Sequence, residues 1–170
     1  MLLRSYKLLI TSSRSLLGFG FLMAFYSSVG QTYFVGVFGP QIQAEFNLSH
    51  TAWGTIYMLG TLASALVMPW SGNLIDRYRL TTYSFAVCAF LTIACGFMAF
   101  ATGPATLVFG IFLLRHSGQG LADHTASTSM ARYFDRDRGR AIAISSLGTT
   151  TGQSVLPYLA VAAISVVGWR

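Results

Sequence analysis

Four stretches of this chain carry no Asp, Glu, Lys or Arg: Ser15–Ala44, Thr51–Ile75, Leu80–Leu114 and Ala141–Trp169. About 20 mainly apolar helical residues cross the hydrocarbon core of a bilayer, so each stretch is long enough to span. Lipid offers no partner for an unpaired backbone group, and the period-two alternation of a membrane barrel is absent, so helices are the expected form. The third stretch is long enough for two helices, and "ATGPA" divides it, with Gly103 and Pro104 marking a turn. The prediction is an all-α integral membrane protein with five transmembrane helices, at about 16–38, 52–75, 81–101, 105–130 and 140–167. Composition agrees: of 170 residues 54% are hydrophobic and 9% charged, unlike a soluble domain. A signal peptide is the alternative for the N-terminus, but the apolar segment continues past Val35 with no small-x-small cleavage site.

The formal charge is +6. A basic balance can serve nucleic acid or an anionic surface, but here its placement follows topology. Arg4, Lys7 and Arg14 precede the first span, Arg77 and Arg79 follow the second, and Arg132, Arg136, Arg138 and Arg140 lie between the fourth and fifth. Five alternating spans put all of these on one side, leaving Arg170 opposite and Arg115 inside a span. The positive-inside rule then makes the N-terminus and the loops 76–80 and 131–139 cytoplasmic, with the bilayer rather than nucleic acid as partner.

In the loop after the first span, Pro40 is expected to close that span and Ser49 to cap the next helix. At the other end of the second span, Gly72 lets another backbone come close. Asp76 sits badly against a helix dipole there, so a cation or another helix N-terminus should compensate it. The plainer reading of this segment is a solvated basic loop. Cys88 and Cys95 share a helix face but lie about 10 Å apart along the axis, which excludes a bridge between them and leaves two small packing residues.

Four motifs carry a resemblance. "GNLIDRYR", Gly72 to Arg79, is similar to the G-x-L-x-D-R-x-x-R signature between the second and third helices of the major facilitator superfamily (MFS), with Tyr78 and Leu80 as departures. "LRHSG" resembles that family's membrane-embedded Arg followed by glycines, "ARYFDRDRGRA" its R-x-F-x-x-x-x-R-G-x-A loop, and "GWR" the common opening of its sixth helix. "GQTYFVGVFGP" and "GQGLADHT" resemble the bacterial branch that includes monocarboxylate and oxalate/formate porters. The resemblance implies a secondary transporter in the bacterial inner (plasma) membrane. It assigns Gly72, Asp76, Arg77, Arg138 and Gly139 to conformational motifs. Such proteins have about twelve helices in two halves, with the substrate site between them near the midplane. On that pattern residues 1–170 are a truncated N-terminal helical half, which needs the missing C-terminal half or another membrane chain.

Within the fourth span, steps of about 100° put Arg115, Gln119, Asp123 and His116 on one stripe and His124 near the opposite side. Charge in hydrocarbon is expensive, so this stripe should face water or protein. Arg115 can hold an anionic substrate through two hydrogen bonds, with Gln119 beside it. Asp123 and His116 are candidates for proton coupling. Structural interhelical contacts are the competing reading for all of them. In the first helix "YSSVGQTY" makes Tyr26 and Gln31 secondary substrate candidates, with helix packing as the alternative. On the fifth, Gly148 and Gly152 form a G-x-x-x-G packing face, and Pro157 should kink the helix. The family's Gly-Pro antiporter signature is missing there, so exchange has no support.

No P-loop, zinc-spaced Cys/His set, H-E-x-x-H or G-x-S-x-G occurs, so no enzyme activity, cofactor or metal is expected. The leading expectation is symport or a related mode of secondary transport of a small organic solute, an anion such as a monocarboxylate being favoured by Arg115, with protons as possible co-substrate. The alternatives are a non-transporting membrane interaction protein, which would dock through glycine-rich helix faces, and an inactive truncated product.

Overall fold

The computed structural model describes residues 11 and 13–170, which are mostly helical, with no strand among them. Arg4 and Lys7 lie outside the described residues.

The first predicted span is a bent run rather than one rod. Helix α1 (Arg14–Ser27) passes through a tight turn at Ser28–Gly30, α2 (Thr32–Val35) and a second tight turn at Gly36–Phe38 into α3 (Gly39–Glu45). The bend, 43°, falls at Gln31, whose extended backbone (φ −82°, ψ 154°) interrupts the helical ladder. Pro40 does not close the span. It occupies the first turn of α3, where a missing N–H costs nothing.

Ser49 caps α4 (His50–Gly72) as expected, its Oγ accepting from the Ala52 N–H at 3.1 Å. A tight turn at Asn73–Asp76 and an extended Arg79 lead into α5 (Leu80–Ala99). The Gly103–Pro104 turn is held by the Thr106 hydroxyl, which accepts from the N–H groups of Thr102 and Gly103 at 3.0 Å each. Then α6 (Pro104–Leu114), a π-helical segment (Arg115–Ala122) and α7 (Asp123–Tyr133) run on without a break. The last element is α8 (Arg138–Val167), which passes Pro157 without being interrupted.

Among the described residues, three helical stretches are long and apolar enough to cross a membrane: His50–Asp76, Leu80–Ala99 and Arg138–Val167. The bent run Arg14–Glu45 adds a fourth if it counts as one span. The fourth predicted span, the 104–133 helix, is not in this set. The reason is visible in its surroundings: it is the helix the others cover, with Leu107, Ile111, Ser117, Thr125 and Met130 fully buried. Facing protein, it can carry polar groups that a lipid-facing helix cannot.

Large apolar side chains cover the outside as well as the core, and several polar ones lie inside. Trp70, Phe85, Phe100 and Val166 are largely exposed, while Ser27, Ser28, Ser117, Thr125 and Arg115 are inside. An apolar exterior this extensive suits a multi-pass membrane protein. Small residues bring the helices together. A Cβ on Gly148 would strike the Phe21 carbonyl and lie 2.8 Å from the Phe25 nitrogen, and one on Gly152 would lie 2.7 Å from the Ser28 Cβ. The G-x-x-x-G face is thus spent inside the fold, on the most extensive helix pair, α1 with α8.

Candidate functional site

The site begins with the break at Gln31. Because the helix opens there, the Gly30 carbonyl is released from the ladder and accepts from Arg115 Nη1 at 3.1 Å. Thr32, just beyond the break, accepts from the same nitrogen at 3.2 Å and from the Tyr57 hydroxyl at 2.9 Å. The guanidinium carbon lies 5.4 Å from the Tyr57 ring centroid. This approach needs two glycines at the crossing: a Cβ on Gly118 would come within 2.6 Å of the Gly30 Cα.

Arg115 is only 7% exposed, yet no carboxylate lies within ion-pair distance among the described residues, and its Nε–H has no partner. A buried guanidinium of this kind holds an unspent hydrogen bond and an uncompensated charge. Arg115, Gln119, Asp123 and His124 all line one cavity of about 360 Å³ between α4 and the central helix, with Thr61, Ser64 and Met68 on the α4 side. A fixed cation, a carboxylate, an imidazole, an amide and hydroxyls therefore meet in one polar hollow without an Arg115–Asp123 salt bridge.

The stripe read from the sequence is only partly what forms. Gln119 and Asp123 join Arg115, but His116 turns away and His124 takes a place in the cavity. The cause is the π segment, where bonds close over five residues and each residue advances less than in an α-helix. Asp123 N–H accordingly reaches Gly118 O, five residues back. Over eight residues the phase slips by roughly a third of a turn or more, enough to bring His124 round from the far side. His116 is instead packed between aromatic rings, stacked on Phe112 at 5.6 Å and edge-on to Phe90 at 6.3 Å, with Ser64 Oγ 3.5 Å from Nδ1.

The two candidates on the first helix do not reach the cavity. Tyr26 is half exposed, and Gln31 contributes its backbone break rather than its side chain. Their neighbour Thr32 instead holds Arg115 in place. Thr32, Tyr57, Thr61 and Ser64 were not legible as site residues. The one signal was hydroxyls recurring every three or four residues, Tyr57, Thr61 and Ser64, along an otherwise apolar helix.

At the end of the bundle carrying the turns 73–79 and 134–137, the basic end, Asp76 pairs with Arg132, whose Nη1 also reaches the Ile75 carbonyl at 3.5 Å. The compensating cation comes from the second loop motif, not from the adjacent Arg77, which is exposed. Arg138 lies 3.9 Å from Asp135, and Gly139 is exposed with open space about it. Gly72 is buried, with 3.6 Å between its hypothetical Cβ and His124 Nε2, so the first loop motif packs beside one of the residues that line the polar cavity.

The sequence model of the family described as Major Facilitator Superfamily matches residues 20–170. No curated protein and no solved structure matches the chain significantly.

Proposed function

We propose a function for a chain that belongs to the Major Facilitator Superfamily, a family of membrane transporters: it forms the anion-binding wall of a secondary transporter. The cargo is a small organic anion, a monocarboxylate in the simplest case, and Arg115 is its anchor. The observation that carries this reading is Arg115, buried at the lining of the polar cavity, without a carboxylate in ion-pair range and with an Nε–H that has no partner. A carboxylate bound beside Arg115 would supply the missing counter-charge.

The central helix serves as a fifth membrane crossing in this reading, sheltered from lipid by the other four. The N-terminus and basic loops then lie in the cytoplasm and the protein in a bacterial inner membrane. A second helical half, in the same polypeptide or another, completes the site. Transport with a proton, symport, suits a cavity holding both an anion anchor and titratable groups. The interaction-protein alternative loses its main support, because Gly148 and Gly152 are already packed on α1.

Uptake of labelled pyruvate or lactate by cells expressing the transporter with this half intact tests the proposal. Arg115→Ala should abolish uptake while leaving the protein in the membrane, and unchanged uptake sinks the assignment.

A further inference from the structure

A second hollow lies at the basic end, a groove of about 350 Å³ between the end of α4 and the start of α5. Leu74 and Tyr78 of the turn 73–79 line it together with Thr82, Ala86 and Phe90 of α5, and the buried Leu121 of the π segment lies behind them. The Tyr83 hydroxyl donates to the Ser71 carbonyl at 3.4 Å and ties the two helices there. Thr82, Ala86 and Phe90 recur every four residues on one helix face and cover about 12 Å of α5. Half the hydrocarbon thickness of a bilayer is about 15 Å, so a groove opening at this end stays within one leaflet.

Charge at the mouth of this groove is of one sign. Tyr78, which lines it, stands between Arg77 and Arg79, both exposed and in no ion pair among the described residues. Asp76 is the one acid between Glu45 and Asp123 in the sequence, and Arg132 already engages it. Trp70, four residues before Leu74, and Tyr78 are 74% and 59% exposed. Amphipathic rings of this kind sit at the headgroup level of a bilayer.

We infer that the groove holds one anionic phospholipid of the leaflet at this end, its phosphate against Arg77 and Arg79 and the first part of an acyl chain along Thr82, Ala86 and Phe90. A free phosphate would use the arginines and leave the apolar groove unfilled. An apolar helix would fill the groove and leave two charges without a counter-ion. A lipid with a net negative headgroup answers both, and basic pockets between transmembrane helices suit such headgroups. Seated there, the lipid braces α4 and α5 over Leu121 of the central helix. The groove shares no lining residue with the polar cavity, so the lipid site stands independently of the anion site at Arg115.

The test is native mass spectrometry of the full chain released from nanodiscs of equal parts phosphatidylglycerol and phosphatidylcholine with matched acyl chains. One phosphatidylglycerol should stay bound per chain, favoured over phosphatidylcholine by about tenfold or more. Arg77→Gln combined with Arg79→Gln should lower that retention by about tenfold or more. Ala86→Phe, which fills the groove without changing charge, should also lower it. Arg136→Gln removes an exposed charge of the same end that does not line the groove, and should act by less than about twofold. All four residues are exposed, so the fold should survive each change. Equal retention of phosphatidylcholine, or a loss in Arg136→Gln as large as in the double variant, overturns the site in favour of diffuse attraction. Retention indifferent to Ala86→Phe overturns it in favour of a headgroup contact alone. A dimer that Ala86→Phe dissolves puts a second copy of the chain in the groove and overturns it as well.

Discussion

Two arginines of this chain stand apart from the basic loops, and they are opposites. Arg170, at the end remote from those loops, is fully engaged: Nε and Nη2 donate to Glu45 at 3.0 and 2.5 Å, and Nη1 and Nη2 donate to the Ala99 and Ala101 carbonyls at 2.8 and 2.9 Å. It also lies over Trp169, whose Nε1 donates to the same carboxylate at 2.5 Å. Arg115 is far more buried and has less: a carbonyl, a hydroxyl and a ring face. Compensation is richest where water would have supplied it cheaply and poorest where burial makes it most needed. A cation chelated by its own protein is a staple, tying α3, the end of α5 and the chain segment at 169–170. A cation buried without a counter-charge is an unfinished site, and a ligand can finish it.

That contrast is easiest to break at Arg115 itself. Arg115→Ala should weaken binding of an anionic cargo by about a hundredfold, measured by uptake or equilibrium binding, the scale typical of truncating one partner of a buried charged contact. Arg170→Ala should leave that affinity within about twofold and act on thermal stability instead, and equal effects of the two changes would erase the distinction. Next comes the crossing that delivers Gly30 to Arg115. Gly118→Val should destabilise the fold by about 1–3 kcal/mol in thermal unfolding, because its branched side chain collides with the Gly30 backbone. Thr32→Val removes one acceptor of the guanidinium and should cost about 1.5 kcal/mol, near tenfold, in anion binding with little change in melting temperature. The smallest effect is expected at the basic end. Asp76→Asn breaks an ion pair whose carboxylate is 62% exposed, so static stability should fall by less than about 1 kcal/mol, read by thermal unfolding at low and high salt.

Much of the architecture is legible because lipid imposes simple rules on sequence. The charge-free runs locate α4, α5 and α8 within a few residues, and Ser49 and the Gly103–Pro104 turn punctuate them as turn and cap chemistry requires. The bend at Gln31 was not legible, since nothing in "SVGQTY" forbids a continuous helix; the residue is extended where the Gly30 carbonyl turns to Arg115, a partner 85 residues away in sequence. Pro40 shows the same limit, being equally at home after a helix and in the first turn of the next one. Glu45 carried no local sign of its importance, because its partners, Trp169 and Arg170, stand at the other extreme of the chain.

The sequence by itself determined that this is a helical membrane protein with its polar residues gathered on one helix, since burial cost and the need to pair backbone groups act residue by residue. It also placed Arg115, Gln119 and Asp123 on a common side, because helical periodicity is local. Which histidine joins them was decided only in three dimensions. The π segment changes the angular step between Arg115 and Ala122, and a wheel drawn at α-helical pitch cannot foresee that change. The same holds for whether Arg115 finds a carboxylate. That depends on where the break in the first helix puts its carbonyl and hydroxyl, and on the close approach that Gly30 and Gly118 allow.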